Sequence, residues 1–286
     1  MDGVLMDTNL LQGYTCAKKF QIGNNHYLLL NRCYAEKIWI LKIQNDGKIA
    51  DIIGELDFIP CMDTVEIYTI NKITYLLCTN ILYPKIYIYK IYVDKKPELV
   101  DESTMKYISE CLQIYQIGNK HYLFRFTTNE GMMIHRITND GKLGDIICDI
   151  TKWSSYNRWT ITEIYTINNI TYLFCHCHYS GYVNIYKVNE DGKIGDLIED
   201  RYWSKGWTNI KPFQIGNKHY IFLYKIKGGN VDIDQIKNDG KLGKNLFNTN
   251  SFNKEWLTTE IYTVNNVTYL LLLNQDSGKL KIHKIQ

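Results

Sequence analysis

The stretch EIYTINNITYLF, Glu163 to Phe174, decides how this chain folds. Glu163 to Ile167 alternate in character as a half-buried strand does, with successive side chains sent to opposite faces. Asn168-Asn169 is a two-residue connection suited to positive φ, and Ile170 to Cys175 form the returning strand. The stretch therefore predicts a tight β-hairpin. Variants of it occur five more times: FQIGNNHYLLL from Phe20, EIYTINKITYLL from Glu66, IYQIGNKHYLF from Ile114, FQIGNKHYIF from Phe213 and EIYTVNNVTYLL from Glu260. The anchors Ile22, Ile70, Ile117, Ile167, Ile215 and Val264 are spaced by 48, 47, 50, 48 and 49 residues. That period is too long for a leucine-rich repeat, and the 3.6-residue spacing of a helical repeat is missing.

Working outward from Glu163, the unit holds two further strands. Tyr182–Val188 follows a variable loop through Ser180-Gly181. The turn Glu190-Asp191-Gly192-Lys193 then leads into Ile194–Glu199, with Asp starting the turn and Gly free to take the left-handed position. Four antiparallel strands per repeat are the pattern of a propeller blade. At the ends, Gln286 and Met1 align with Gln44 and Asn45, and Gly3 with Gly47, so the amino-terminal segment is expected to supply the outer strand of the last blade. Such pairing covers two sheet edges that would otherwise lie open. The expected fold is all-β: a six-bladed β-propeller of four-stranded antiparallel blades in a single domain, residues 1–286. The blades run about 15–60, 61–108, 109–157, 158–205, 206–254, and 255–286 with 1–11. Units one, three and five carry Gln21, Gln116 and Gln214 with His26, His121 and His219. Units two, four and six carry Thr69, Thr166 and Thr263 with Thr74, Thr171 and Thr268. The building block is a doublet of about 97 residues used three times.

Composition agrees. Hydrophobic residues make up 45% of the chain, and its 23 tyrosines and many isoleucines suit pleated surfaces. A net charge of +3, mixed in sign along the chain, gives no footprint for nucleic acid. No 18-residue apolar run is present to span a membrane. The amino terminus lacks the basic flank and apolar run of a signal peptide, and the eight cysteines follow no repeat position. Free, reduced thiols in a cytoplasmic protein are expected. In Cys175-His176-Cys177-His178, alternation would send cysteines and histidines to opposite faces, which is poor for one tetrahedral metal site. No metal or cofactor is expected.

Candidate sites fall into four sets. The repeated histidines follow hairpin turns and are expected to bond neighbouring structure. The aspartates Asp2, Asp46, Asp140, Asp191 and Asp239 lie in turn sequences. Glu66, Glu163 and Glu260 open the first strands of alternate blades, and so are candidates for a carboxylate rim at the channel, interleaved with Lys18, Gln113 and Lys211. Trp159, Trp207 and Trp256 stand eight residues before their anchors, with Trp153, Trp203, Phe58 and Phe252 further upstream. These aromatic residues either fill the seams between blades or, beside Arg158, Lys205 and the Ser154–Asn157 stretch, form shallow sugar-stacking pockets.

The closed architecture with inter-blade aromatic residues resembles the β-propeller lectins, both the tachylectin type and the six-bladed fucose-binding type. The resemblance covers the whole chain as architecture and transfers no binding residue. The Trp-Asp dipeptide of WD repeats, the double glycine of kelch repeats and the Ser-x-Asp-x-Gly box of sialidases are missing. What the resemblance implies is a non-enzymatic recognition module that binds carbohydrate, its partner a glycan or a protein, with oligomers possible. A protein scaffold is the alternative, and a glycan-active hydrolase stands third. Near-identical repeats argue against one asymmetric catalytic centre. Unit two, with Lys95-Lys96-Pro97 in place of the Asp-Gly-Lys turn, diverges most.

Overall fold

A computed structural model describes residues 3–32, 37–57, 62–80, 82–93, 95–154, 158–250, 252 and 254–285. Met1, Asp2, Cys33, Phe58, Cys61, residues 155–157 and Gln286 lie outside them. The strands, in chain order, are β1 (Val4–Asn9), then β2 (Tyr14–Ile22), β3 (Asn25–Arg32), β4 (Lys37–Ile43) and β5 (Ile49–Asp57) of the first blade. The second blade holds β6 (Met62–Ile70), β7 (Ile73–Asn80), β8 (Lys85–Lys90) and β9 (Glu98–Thr104). The third holds β10 (Cys111–Ile117), β11 (Lys120–Thr127), β12 (Gly131–Ile137) and β13 (Leu143–Ile150). The fourth holds β14 (Ile161–Ile167), β15 (Ile170–His176), β16 (Tyr182–Val188) and β17 (Ile194–Tyr202). The fifth holds β18 (Asn209–Ile215), β19 (Lys218–Lys225), β20 (Asn230–Ile236) and β21 (Leu242–Thr249). The last has β22 (Thr258–Val264), β23 (Val267–Leu273) and β24 (Lys279–Ile285). Its fourth strand is β1, antiparallel to β24 with Met6 opposite Ile282 and Thr8 opposite Leu280. The fold class is thus an all-β, six-bladed propeller whose amino-terminal strand belongs to the last blade.

The chain divides into two compact units. One contains the last, first and second blades (Met1–Ile108, Asn139–Gly141 and Glu255–Gln286), and the other the third, fourth and fifth (Ser109–Thr138 and Lys142–Lys254). The inner strands carry most of the buried positions, as in β7 and β15, because each has a strand on both sides and packs on both faces. The outer strands β13 and β21 are mostly open.

The alternation between odd and even units is one of turn chemistry. In the even units both turn residues take positive φ, as at Asn71 (51°) and Lys72 (64°) or Asn168 (51°) and Asn169 (63°). That is the type I′ turn that Asn favours. The odd units place Gly23, Gly118 and Gly216 at φ 59° instead. The Gln21, Gln116 and Gln214 amides donate to those turns' glycine carbonyls at 2.7–2.8 Å. The even units bring Thr166 and Thr171, and Thr263 and Thr268, within hydroxyl contact at 3.1 and 3.2 Å.

Tyrosine joins successive blades. Tyr68 and Tyr75 stack at 5.2 Å, Tyr165 and Tyr172 at 5.4 Å, and Tyr262 and Tyr269 at 5.4 Å. The first of each pair donates its hydroxyl to the glycine carbonyl of an Asp-Gly-Lys turn: Tyr68 to Gly141 at 2.6 Å, Tyr165 to Gly240 at 2.5 Å, Tyr262 to Gly47 at 2.6 Å, and likewise Tyr115 to Gly192. The second lays its ring against the same glycine. A Cβ on Gly240 would lie 2.3 Å from the Tyr172 ring, and one on Gly47 2.2 Å from that of Tyr269. Burial pushes the first tyrosines' hydroxyls well above the ordinary tyrosine range, so they remain donors. In three of these turns the aspartate closes the turn from the other side: Asp46, Asp191 and Asp239 accept from the amides of Lys48, Lys193 and Lys241 at 3.0–3.1 Å, while the Lys142 amide donates to the Thr138 hydroxyl.

Candidate active site

The sequence-selected aromatic residues are mortar. Trp159, Trp207 and Trp256 are 1%, 4% and 3% exposed. An indole with no open face cannot stack on a sugar, so the stacking-pocket assignment of these three is corrected. The physical reason is position: eight residues before the anchor, the chain enters a first strand across a seam that needs a large apolar filler. Trp159 packs with Cys111, Leu173 and Cys175, and Trp207 with Ile210, Leu223 and Ile236. Trp203, half-buried, lies against Phe174 and His176 at 5.6 and 5.8 Å. Trp153, also half-buried, joins Trp159 and Tyr186. Arg158 and Lys205 are exposed, and the Lys225 ammonium sits 4.4 Å above the Trp207 ring while bonding Ser204 Oγ at 2.8 Å. His176 is fully buried, with Nδ1 3.0 Å from the Tyr182 carbonyl. Burial pushes its pKa down to about 4.

The carboxylates on the first strands are also accounted for one by one. Glu66 pairs with Lys18 of the adjacent first strand at 2.7 Å, and Glu163 with Lys211 at 2.7 Å. Glu260 is 8% exposed. Glu66 and Glu163, each matched by a lysine, carry no excess negative charge for a hard cation. Among the described residues no group of three or more His, Cys, Asp and Glu is placed to hold a metal ion. No helix among them is long and apolar enough to cross a membrane.

The open space lies elsewhere, around the first hairpin of the first blade. A cavity of about 440 Å³ is lined by Asn24, Asn25, His26, Lys42, Gln44 and Asn45, with Ile43 and Ala50 at its floor. A second recess of about 150 Å³ shares His26 and Ile43 with it and adds Lys19, Gln21 and Thr263. Register explains the grouping. Gln21 pairs with His26 and His26 with Ile43, so all three project from one face of the blade, and Lys19, two residues before Gln21, joins them. Lys42, one residue from Ile43, approaches the first cavity from the other face. His26 thus lines both recesses, with Lys42 and a set of amides in the first and Lys19 in the second, in space large enough for a small molecule. The sequence marks His26 only as a repeat position, shared with His121 and His219.

No family model and no curated protein matches this chain in sequence. Solved structures do match in fold. A protein from Bacteroides fragilis described as a candidate 6-phosphogluconolactonase superposes with a TM-score of 0.59 at 14% identity, covering 82% of this chain and 70% of that one. One from Bacteroides uniformis with the same description gives 0.58 at 13%, with the same coverage. The periplasmic gluconolactonase of Pseudomonas aeruginosa gives 0.57 at 12%, covering 84% and 70%. At these identities the likeness establishes the propeller fold. It also overturns the expectation of a non-enzymatic, lectin-like module, because these neighbours are described by an enzymatic activity on sugar lactones.

Proposed function

We propose that this protein hydrolyses lactones at the cavity over the first hairpin, with His26 as the general base. The observation that supports the reading most is the meeting of one imidazole, two lysines and several amides in adjoining cavities of about 440 and 150 Å³. The fold likeness to gluconolactonases points the same way. In the reaction, His26 takes a proton from water as the oxygen attacks the lactone carbonyl carbon. Lys42 and the Asn25 and Asn45 amides face the oxyanion that develops, and Lys19 adds positive charge from the second recess. As the tetrahedral intermediate collapses, the ring C–O bond breaks and the leaving alkoxide takes the proton held by His26. The product is a hydroxy acid, whose carboxylate the lysines also favour.

The test is proton release from δ-gluconolactone and its 6-phosphate, measured on the purified protein above the spontaneous rate. His26→Ala is expected to lower kcat/KM about 10²- to 10⁴-fold, the usual worth of a general base, with the melting temperature unchanged. Hydrolysis no faster than in buffer across a lactone panel, or full activity in His26→Ala, overturns the proposal.

A further inference from the structure

The seam between the first and second blades lacks the tyrosine grip. Where a blade ends in an Asp-Gly-Lys turn, the tyrosine pair of the blade before it grips the turn's glycine. The first blade carries Phe20 and Tyr27 at these two positions, still stacked at 5.3 Å, but Phe20 has no hydroxyl. The second blade correspondingly has no such turn; Ile91, Tyr92 and Val93 leave β8 and lead to Lys95-Lys96-Pro97. Donor and acceptor have been lost together, and the space they fill elsewhere stands open as a cavity of about 340 Å³. Its walls are mainly apolar, Ile22, Tyr27, Ile73, Ile91, Tyr92 and Val93, with Asn25, Lys72 and Thr74 completing the lining. Ile73 is 38% exposed, a branched side chain left uncovered at the mouth. The far wall is braced, because Tyr92 bonds Glu98 Oε2 at 3.2 Å and the Lys95 ammonium lies 3.8 Å above its ring. Asn25 lines both this cavity and the polar one that holds His26.

From this continuity we infer that the substrate is an amphiphilic lactone, with its ring beside His26 and an aliphatic arm running over Asn25 into the Tyr27–Ile73–Ile91–Val93 cavity. The inference rests on the proposed lactonase reading and sharpens it. A gluconolactone carries hydroxyls on three ring carbons and a hydroxymethyl on a fourth and would leave these walls wet, whereas an alkyl or acyl arm would remove them from water. Of the polar side chains in this lining, Thr74 is buried and meets the Thr69 hydroxyl at 3.5 Å, so the aliphatic walls select mainly for chain length and shape rather than for polar substituents.

The experiment is a homologous series on the purified protein: δ-lactones with ring substituents from methyl to heptyl, beside δ-gluconolactone. The expected result is a rise in kcat/KM of about two- to fourfold for each added methylene until the cavity is full, in line with the transfer of one methylene from water. Ile73→Asp, which puts a charge at the mouth, is expected to flatten that rise. Gluconolactone hydrolysed faster than every alkyl lactone, or a series with no slope, refutes the inference while leaving the lactonase reading standing. No hydrolysis of any lactone defeats the lactonase reading itself. A slope that persists unchanged in Ile73→Asp places the arm elsewhere and also overturns the inference.

Discussion

Two glycines of the fifth blade offer a measurement of what the tyrosine grip contributes. Gly216 and Gly240 both have positive φ, 59° and 82°, so an alanine at either place bears backbone strain of about 1–2 kcal/mol. At Gly216 the new methyl would meet nothing within 4 Å, so strain is the whole cost. At Gly240 it would lie 2.3 Å from the Tyr172 ring, far inside the ordinary carbon–carbon contact of about 3.5–4.0 Å. That ring is 3% exposed and stacked on Tyr165, whose hydroxyl holds the Gly240 carbonyl, so it cannot step aside freely. Overpacking adds about 1–3 kcal/mol, and a broken buried hydrogen bond about 1–3 kcal/mol more. Gly240→Ala should therefore cost roughly 3–8 kcal/mol against about 1–2 for Gly216→Ala. With an unfolding entropy near 0.6 kcal/mol/K for a chain of this length, the melting temperature should fall by about 5–13 °C against about 2–3 °C. Thermal melts followed by circular dichroism read both values. Equal decreases, within a degree, would show that the ring contact contributes nothing and that the grip is incidental.

Two other expectations concern pH and the amino-terminal strand. Burial holds His176 neutral in the folded protein, with its pKa near 4 against 6.5 as the reference value. Between those values the unfolded chain binds a proton that the folded one refuses, so stability falls as the pH drops from about 6.5 towards 4, by up to about 3 kcal/mol. His135, lowered in the same direction by burial, adds to the slope. Melting curves from pH 7 to 4.5 should be visibly flatter for His176→Gln, and parallel curves would contradict this account. Removing residues 1–11 deletes β1 and bares β24 as an edge. Aggregation or a steep loss of stability is expected, and a truncated protein that stays monomeric with the parent's melting temperature would refute the role given to β1.

What could be read in the sequence was what is local. Strand alternation and the Asn-Asn turn at 168–169 are settled within a dozen residues, and six copies multiply the signal. The amino-terminal strand was legible too, since Gly3 repeats the Gly47 context. The tyrosine grip was not, because Tyr165 and Gly240 are 75 residues apart and nothing in either repeat names the other. Its trace was present in the joint loss of the Phe20 hydroxyl and of the second blade's Asp-Gly-Lys turn. The tryptophans misled because one composition, an aromatic residue flanked by polar ones, serves a buried seam and an open pocket equally well. The packing of the next blade decides between them. His26 stayed hidden for the opposite reason: its repeat equivalents His121 and His219 made it look ordinary, and the recesses beside it are formed by the fold.

The pairing of β1 with β24 has a consequence for synthesis. Blades one to five each close from strands made consecutively, so each can fold as it leaves the ribosome. β1 emerges about 270 residues ahead of its partner, counting from Asn9 to Lys279. At about 5–20 residues per second it waits roughly 15–55 seconds. Its sequence suits the delay, since after Val4-Leu5-Met6 it turns polar with Asp7, Thr8 and Asn9, too short an apolar run to recruit a foreign strand. The last blade is then finished by annealing rather than by elongation, and Asp7, meeting Lys279 and Lys281 at 3.7 and 3.5 Å, supplies the charge match that fixes where β1 lands.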